Sequence, residues 1–207
     1  MADHAKDIFE VIKRRRTCRF FQKNADIPPK DLEMILEAGR WAPSARNLQP
    51  LEYIVVRHAE KRKKLAELGR QKHPCEAPVS VVVLGDMELA VRVGKISPHE
   101  TTTSFKGLKM FLYMDAAAAI ENMLLMAESM EYASLWISSF DEEGLEDYFK
   151  LSENMVPLAI LCFGKTSKKI QVPPKRPLDE RLHYEEWSQK PRDESYIGFS
   201  RKINQRF

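Results

Sequence analysis

The 207-residue chain lacks the motifs that mark several common classes of nucleotide-binding and metal-binding protein. Its eight glycines include no Gly-x-Gly pair, which excludes a Rossmann fingerprint and a P-loop. Any bound nucleotide must therefore be held by cationic side chains rather than by a glycine turn at a helix N-terminus. The three cysteines form no Cys-x-x-Cys pair, and the five histidines show no His-Glu-x-x-His spacing. We therefore expect neither a disulfide framework nor a metal site.

Long hydrophobic runs and a large net charge are also missing. The uninterrupted apolar runs are far shorter than the about 20 residues of a membrane-spanning helix. Residues 1–7 lack the apolar region of a signal peptide. With 33 basic and 30 acidic residues the net charge is only +3, so nucleic-acid binding would need a clustered basic face. Apolar residues make up 43% of the chain, so we expect a soluble, cytoplasmic globular protein.

The hydrophobic pattern predicts helices interspersed with four strands. Helices are expected at 8–16, 31–40, 59–70, 115–130 and 141–150, and strands at 51–57, 79–84, 132–140 and 156–163. Pro28-Pro29 should open the second helix, and Asp115 and Asp141 should cap the last two. The 115–130 helix is apolar around most of its circumference, so we expect it to be buried nearly all round. The β-branched 79–84 strand should be central and covered on both faces.

This element order predicts a mixed α+β or α/β sheet covered by helices. We expect residues 1–207 to form a single domain, since the length fits one domain of ordinary size. Residues 86–114 show no clear pattern and are expected to form a variable, partly helical excursion. Residues 165–207 are rich in proline and charge, and their hydrophobic residues are too dispersed for a separate core. We therefore expect an extended C-terminal arm that wraps over the domain or over a partner subunit.

An arginine-rich segment at residues 15–19 is the first candidate binding element. Several guanidinium groups with a hydroxyl among them could clamp a phosphate, because a planar guanidinium donates two hydrogen bonds at once. The ordinary alternative is a solvated helix end, where cations favour the C-terminal dipole.

The loop at residues 41–50 is the second candidate. It carries Ser44, Asn47 and Gln49 between a predicted helix and a predicted buried strand. Donors and acceptors held in place beside a core are what a planar heterocyclic ligand needs. The same residues would also make a capped turn that binds nothing.

Two further segments carry polar groups. Ser138-Ser139 stand at a predicted strand end, where they could expose backbone N–H groups and hydroxyls or simply end the strand before Asp141. Prolines stiffen residues 173–177, which could present Lys175 and Arg176 to an anion or form a rigid linker.

Taken in this order, the segments resemble the FMN-dependent nitroreductase family. The resemblance covers roughly residues 8–187 and lies in Arg15–Phe21, Ala42–Pro50, Tyr53–Val56, Asp115 with Asn122–Ala127, Trp136–Asp141, Pro157–Gly164 and Arg176–Glu180. It implies a nitroreductase-like α+β fold of three layers, in which helices flank a mixed, mainly antiparallel sheet. A buried central helix and an extended C-terminal arm complete the implied fold.

The resemblance also implies a homodimer with two tightly bound FMN molecules at the subunit interface. The residues implied to grip the phosphate are Arg15, Arg19 and Arg176, followed by Arg16, Thr17 and Lys175. Those implied to line the isoalloxazine and the ribityl chain are Pro43, Ser44 and Asn47, with Gln49 as a weaker contact. Gln71 occupies a place where the family often has a flavin-contacting amide. Ser138 and Ser139 match the place where a backbone N–H meets flavin N5, although glycine or an acidic residue is common there.

The chemistry implied by the resemblance belongs to the flavin. NADH or NADPH passes a hydride to N5, and a nitroaromatic, a quinone or a free flavin then takes its place in ping-pong order. No catalytic side chain is required. Dehalogenating and flavin-degrading chemistry stay open as alternatives, and the substrate cover is expected in residues 86–114. A separate alternative is a non-enzymatic basic protein that binds nucleic acid or stores flavin, based on the clusters at 14–16 and 61–64.

Overall fold

The computed structural model describes the backbone of residues 3–23, 25–89 and 105–190. The chain divides into two compact units, Met1–Lys168 and Lys169–Phe207. All the helices and strands named below lie in the first unit. Residues 90–104, the main part of the predicted substrate cover, lie outside the described residues, as does the end of the C-terminal arm beyond residue 190.

The predicted helices and strands are present, with boundaries shifted by a few residues except in one case. The helices are α1 Asp3–Arg14, α2 Pro29–Arg40, α3 Ala59–Leu68, α4 His73–Glu76, α5 Phe105–Ser129 and α6 Glu142–Phe149. The strands are β1 Leu51–Val56, β2 Val79–Asp86, β3 Ala133–Ile137 and β4 Met155–Gly164, and Ala45–Asn47 forms a single 3₁₀ turn. The short helix α4 was not predicted. Asp141 caps α6 as expected, since its Oδ1 accepts from the Gly144 N–H at 3.0 Å.

The four strands form one antiparallel sheet in the order β1-β2-β4-β3. β2 pairs with a neighbour on each side, and residues 79–85 are buried, which confirms the predicted central strand. The register of β2 against β4 shifts between Val83 and Leu84, where Leu84 lies opposite Pro157. Proline has no N–H for the ladder, so a break in regular pairing at this point is expected.

α5 is the core helix and also the largest departure from the sequence expectation. It begins at Phe105, ten residues earlier than expected, so Asp115 lies inside the helix and not at its N-cap. The stretch Lys109–Ser129 is long and apolar enough to span a membrane by length and composition alone, although charged residues such as Asp115 and Glu121 interrupt its apolar run. Every residue from Asp115 to Glu128 is buried or half-buried, in line with the predicted burial on most sides. Ile120, Met123 and their neighbours pack in the hydrophobic core.

α2 packs closely on α5 and so places the loop that follows it. A Cβ at Gly39 would stand 2.1 Å from Met123 Cε, which shows how near the two helices approach. Asn122 Nδ2 on α5 donates to the Ala38 carbonyl at 3.2 Å. The start of α2 is held too, since Tyr132 Oη donates to Asp31 Oδ2 at 2.5 Å. The end of α2, and therefore the start of the 41–50 loop, is fixed against the core.

Candidate functional site

The 41–50 loop has an unusual backbone. After Ser44, which is extended, the chain makes the 3₁₀ turn Ala45–Asn47. Arg46, Asn47 and Gln49 all have positive φ, at 53°, 56° and 51°. Asparagine tolerates this left-handed region, but arginine and glutamine adopt it rarely. The loop backbone is therefore held in a conformation that arginine and glutamine do not favour on their own.

Hydrogen bonds within the loop and from α5 hold this conformation. Ser44 Oγ accepts from the Gln49 N–H at 2.9 Å, and Gln49 Nε2 donates to Asn47 Oδ1 at 3.3 Å. The carboxylate of Asp115 accepts from the Ala45 N–H at 3.1 and 3.2 Å. Burial raises the pKa of Asp115, and the Ala45 N–H partly offsets that rise. This role of Asp115 was not predicted, because an aspartate before an apolar helix resembles a helix cap.

A cavity of about 490 Å³ lies between α2, the loop, β1 and α5. Pro43, Ser44 and Gln49 line it, whereas Asn47 does not. Tyr53 also lines the cavity, and burial, together with nearby Glu52, raises the pKa of Tyr53 to about 12. Its hydroxyl therefore stays protonated at neutral pH. The predicted loop residues thus border a concave, mixed polar and apolar space of the size that small ligands occupy.

Glu37, at the rim of this cavity, accepts hydrogen bonds from the two residues beside it at the end of α2. Its carboxylate accepts from Arg40 at 2.6 and 2.8 Å and from Trp41 Nε1 at 2.8 Å. These hydrogen bonds, that of Arg40 first, lower the pKa of Glu37 to about 2. Trp41 is 74% exposed and lies under the Arg40 guanidinium. The rim therefore presents an aromatic surface with its neighbouring charges already paired.

The arginine segment leaves α1 as an extended piece. Thr17 pairs in parallel with Ser134 of β3, and the Cys18 N–H donates to the Ser134 carbonyl at 2.8 Å. Arg15 Nε lies 3.3 Å from Glu121 Oε1 on α5, and Arg16 Nη1 donates to the Arg15 carbonyl at 2.5 Å. This backbone pairing fixes the arginine segment along the edge of the sheet.

Gln71 lies in the turn between α3 and α4, and Arg62 of α3 holds this region through hydrogen bonds. Arg62 donates to the Arg57 carbonyl at 3.0 Å, to the Cys75 carbonyl at 2.8 Å and to the Ala77 carbonyl. The turn begins at Arg70, whose φ is 48°. One guanidinium thus joins the end of β1 to the segment that carries Gln71.

His73, two residues beyond Gln71, was missed by the sequence interpretation. It is 9% exposed, and its Nδ1 is buried with no hydrogen-bond partner among the described residues. Its nearest acid is Glu76, with Oε2 at 3.6 Å. Burial lowers the pKa of His73, Glu76 counteracts this, and the positive charge of Arg19 lowers it further. Arg19 is therefore within electrostatic range of His73.

Ser138 and Ser139 follow β3 directly and are both exposed. The Asp141 N–H donates to the Leu68 carbonyl at 2.9 Å, so the end of this strand meets the end of α3. Gln71 is three residues beyond Leu68. The polar groups after β3 and the Gln71 turn thus belong to one edge of the domain.

The predicted residues of the first unit fall into two sets. The arginine set comprises Arg15, Arg16, Thr17, Arg19, Gln71, Ser138 and Ser139; the loop set comprises Pro43, Ser44, Asn47 and Gln49. Arg15 reaches α5 at Glu121, whereas the loop reaches α5 at Asp115. Six residues place Asp115 and Glu121 about 120° apart around the helix axis, on different faces. Within the described ranges, the hydrogen bonds and ion pairs given above do not join one set to the other.

Lys175 and Arg176 lie in the second unit. Arg176 Nε forms an ion pair with Glu180 Oε2 at 3.3 Å. The same unit holds a stacked pair, His183 and Trp187, with ring centroids 6.0 Å apart. The phosphate-binding role implied for Lys175 and Arg176 stays a prediction.

The basic clusters that favoured a nucleic-acid binder are largely engaged within the protein. Arg14 and Arg15 face Glu128 and Glu121 on α5. In the cluster at residues 61–64, the Arg62 guanidinium donates to backbone carbonyls, and Lys64 Nζ lies 3.4 Å from Glu67 Oε2. Lys61 and Lys63 of that cluster are exposed.

Helices around a four-stranded antiparallel sheet, a buried central helix and a polar loop beside it define a nitroreductase-like oxidoreductase fold. The nitroreductase family matches residues 12–84 and 66–165 of the chain. The chain therefore belongs to the nitroreductase family, which confirms the resemblance and the predicted α+β fold class.

Individual relatives agree with this family. A protein of Archaeoglobus fulgidus, provisionally named NADH dehydrogenase/NAD(P)H nitroreductase, is 30% identical over 190 residues, which cover 88% of this chain and 99% of the relative. The FMN reductase [NAD(P)H] of Bacillus subtilis is 28% identical over 184 residues, covering 85% and 74%. The structure of NADPH:FMN oxidoreductase from Vibrio harveyi, complexed with NAD⁺, has the same fold. Its TM-score is 0.79 at 23% identity, covering 97% of this chain and 85% of that one.

Proposed function

We propose that the protein is an FMN-dependent oxidoreductase that uses NAD(P)H to reduce nitroaromatics, quinones or related acceptors. The observation that carries the proposal is the donor set. One edge of the domain gathers the guanidinium groups of residues 15–19, the Gln71 turn and the exposed backbone after β3. The 41–50 loop adds a rigid wall of polar groups beside a cavity. The family membership and the names of the relatives support the same function.

The chemistry of these residues fits FMN. The phosphate would be held by Arg15 and Arg19, with Arg16 and Thr17 beside them, because guanidinium groups bind phosphate through paired hydrogen bonds. The ring system and the ribityl chain would meet the Gln71 amide, the backbone N–H groups at Ser138-Ser139 and the loop set. FMN, when bound, would accept a hydride from NAD(P)H at N5 and deliver it to the acceptor in ping-pong order.

The protein's own groups bind, orient and shield in this proposal. Arg19 would place positive charge beside the phosphate of the cofactor. The Asp115–Ala45 contact and the Arg62 clamp hold the loop and the Gln71 turn in place. Tyr53 supplies aromatic surface inside the cavity, and the exposed Trp41 lies beside the lining residue Arg40, so a flat acceptor could stack there.

A homodimer follows from the separation of the two sets. One FMN cannot contact both sets if they lie on different faces of one protomer, but it can if a second copy supplies the other set. Exposed apolar side chains on α1 and α5 offer a surface for that second copy. They are Ile8, Phe9 and Ile12 on α1, and Met110, Tyr113 and Met114 on α5. We therefore place one FMN site at each end of a two-fold interface.

The first test is the colour of the purified protein. We expect a yellow preparation that releases FMN on denaturation and is bleached by NADH or NADPH without oxygen. Reoxidation by an added nitroaromatic or quinone then shows which acceptor class is used. A colourless protein that takes up no added FMN would overturn the proposal.

A further inference from the structure

The loop that carries Pro43, Ser44 and Asn47 is joined to α5 by a hydrogen bond to the buried side chain of Asp115. The Ala45 N–H donates to the carboxylate of Asp115 at 3.1 and 3.2 Å. The two residues are 70 positions apart, so this contact ties the loop to the middle of α5. Asp115 is only 9% exposed, so water competes little for the hydrogen bond.

Contacts from outside the loop must stabilise it, because its backbone conformation is energetically unfavourable. Arg46, Asn47 and Gln49 are all in the left-handed region. Such residues cost on the order of 1–3 kcal/mol each and persist only when the surroundings hold them. The bonds from Ser44 and Asn47 to Gln49 shape the loop internally, but they do not attach it to another element.

We infer that Asp115 is a positioning residue for the cofactor site. Its carboxylate fixes the place of the loop through the Ala45 N–H and acts on the cofactor only through that loop. The inference rests on the proposed function, since it concerns the loop set of the same FMN site. A loop that is already in its binding conformation loses little freedom when the ligand arrives, which raises affinity.

Asp115 also lines the cavity, next to Pro43 and Ser44. A direct contact between the carboxylate and a ligand is therefore the competing role. The two roles differ in which atoms they need. Positioning needs an acceptor oxygen at 115 and the N–H of residue 45, whereas direct contact needs only the carboxylate.

Three variants separate these roles. Asp115→Leu removes every acceptor at about the same size. Asp115→Asn keeps one acceptor oxygen without the charge. Ala45→Pro removes the N–H alone and leaves the carboxylate untouched. Proline is suited to the first position of the 3₁₀ turn, and the extended Ser44 before it is the conformation that proline favours in its predecessor.

Tyr132→Phe is the matched control. Tyr132 lies just beyond the same helix and its hydroxyl also donates a long-range hydrogen bond, but the acceptor is Asp31 in the first turn of α2, at the opposite end of that helix from the loop. Losing it should lower the melting temperature of the apoprotein and leave FMN affinity unchanged. This comparison distinguishes loop positioning from general loss of stability.

The measurement is the Kd for FMN, by quenching of flavin fluorescence well below the melting temperature of each apoprotein. We expect Asp115→Leu and Ala45→Pro each to weaken FMN binding about tenfold, the effect of one lost buried hydrogen bond. Asp115→Asn should restore affinity to near the wild-type value. Equal FMN affinity in wild type and Ala45→Pro would overturn the inference, and it does so even if Asp115→Leu does not fold. A wild-type protein that binds no FMN would instead overturn the proposed function.

Discussion

At the scale of single residues, the proposed phosphate site at residues 15–19 depends on charges whose positions are set by backbone contacts. Thr17 pairs with Ser134, and the Cys18 N–H donates to the Ser134 carbonyl, so the arginines on either side have little freedom to shift along the sheet. Arg19 is close enough to His73 to lower the pKa of that imidazole. Because His73 is neutral, the positive charge near residues 15–19 comes from the guanidinium groups. Individual arginines should therefore have separable effects on anion binding.

Arg19→Ala should weaken FMN binding by about 1.5–3 kcal/mol, the value of a lost charge-assisted contact. Riboflavin, which lacks the phosphate, should bind wild type more weakly than FMN does, and Arg19→Ala should narrow this difference. Arg14→Ala is the matched control, because Arg14 faces Glu128 on α5. Fluorescence titration measures all of these affinities. An unchanged FMN affinity in Arg19→Ala would reject the phosphate contact.

Asp115→Asn should also change how stability depends on pH. Burial raises the pKa of Asp115, so the folded protein holds this proton more tightly than the unfolded chain. Its contribution to stability is complete below about pH 4 and is lost as pH rises through the folded value. The variant lacks this titration, so its stability relative to wild type should increase with pH over that window. Urea unfolding at several pH values measures the difference, and a constant difference would contradict the assignment.

At the scale of elements, the arginine segment is held by close packing at the end of the sheet. Phe21 follows the segment, and Gly164 ends β4. A Cβ at Gly164 would lie 2.8 Å from Phe21 Cδ1 and 2.7 Å from Pro78 Cδ. Both neighbours are rigid rings, so the contact cannot be relieved by a flexible side chain. The absence of a side chain at 164 allows the arginine segment to lie against the sheet.

Gly164→Ala should therefore destabilise the protein by about 1–3 kcal/mol, as expected for overpacking. It should also weaken FMN binding, because Phe21 must move and the arginine segment moves with it. Adding Phe21→Leu should recover part of the lost stability, since the two sites are in contact. Urea denaturation of the four proteins measures the coupling. Strictly additive effects would show that Phe21 is not the neighbour that yields.

The elements themselves could be predicted because their signals are local. Pro28-Pro29 opens α2, Asp141 caps α6, and the β-branched run of β2 marks the central strand. Asp115 could not be assigned correctly, since an aspartate before an apolar helix looks like a cap and its true partner is 70 residues away. The left-handed backbone of Arg46 and Gln49 also carried no signal, because glycine or asparagine is expected there. The candidate site was recognised from its segments, while the contacts that position it are long-range.

At the scale of the whole molecule, the proposed dimer would explain why the predicted residues fall into two separate sets. Each protomer would carry half of two different sites, so neither site is complete in a monomer. Such an arrangement couples cofactor binding to assembly, because FMN bridging two protomers stabilises the dimer over the separated chains. The exposed apolar residues of α1 and α5 are the surface that assembly would cover.

Subunit complementation tests this arrangement. A variant with Arg15→Ala and Arg19→Ala loses the arginine set, and one with Ser44→Ala and Asn47→Gly loses the loop set. Glycine at 47 preserves the positive φ of that position. Neither homodimer should bind FMN tightly. A heterodimer isolated with two affinity tags should bind about one FMN, because two-fold symmetry leaves one site with both sets intact.

Wild type should bind two FMN molecules per dimer in the same assay. A heterodimer without any tight site would show that both sets come from one protomer. Co-expressed homodimers, separated on the same two tags, provide the control for exchange of subunits during purification.

The turn that carries Gln71 has a practical consequence for studying the protein. All three cysteines are free, but Cys18 and Cys162 are buried and only Cys75, in α4, is exposed. Burial also raises the pKa of Cys162 to about 12, so it forms no thiolate at neutral pH. A maleimide dye should thus attach once per chain, four residues from Gln71, without any engineered cysteine. The natural sequence already contains a specific labelling position from which occupancy of the site can be followed by energy transfer to the flavin.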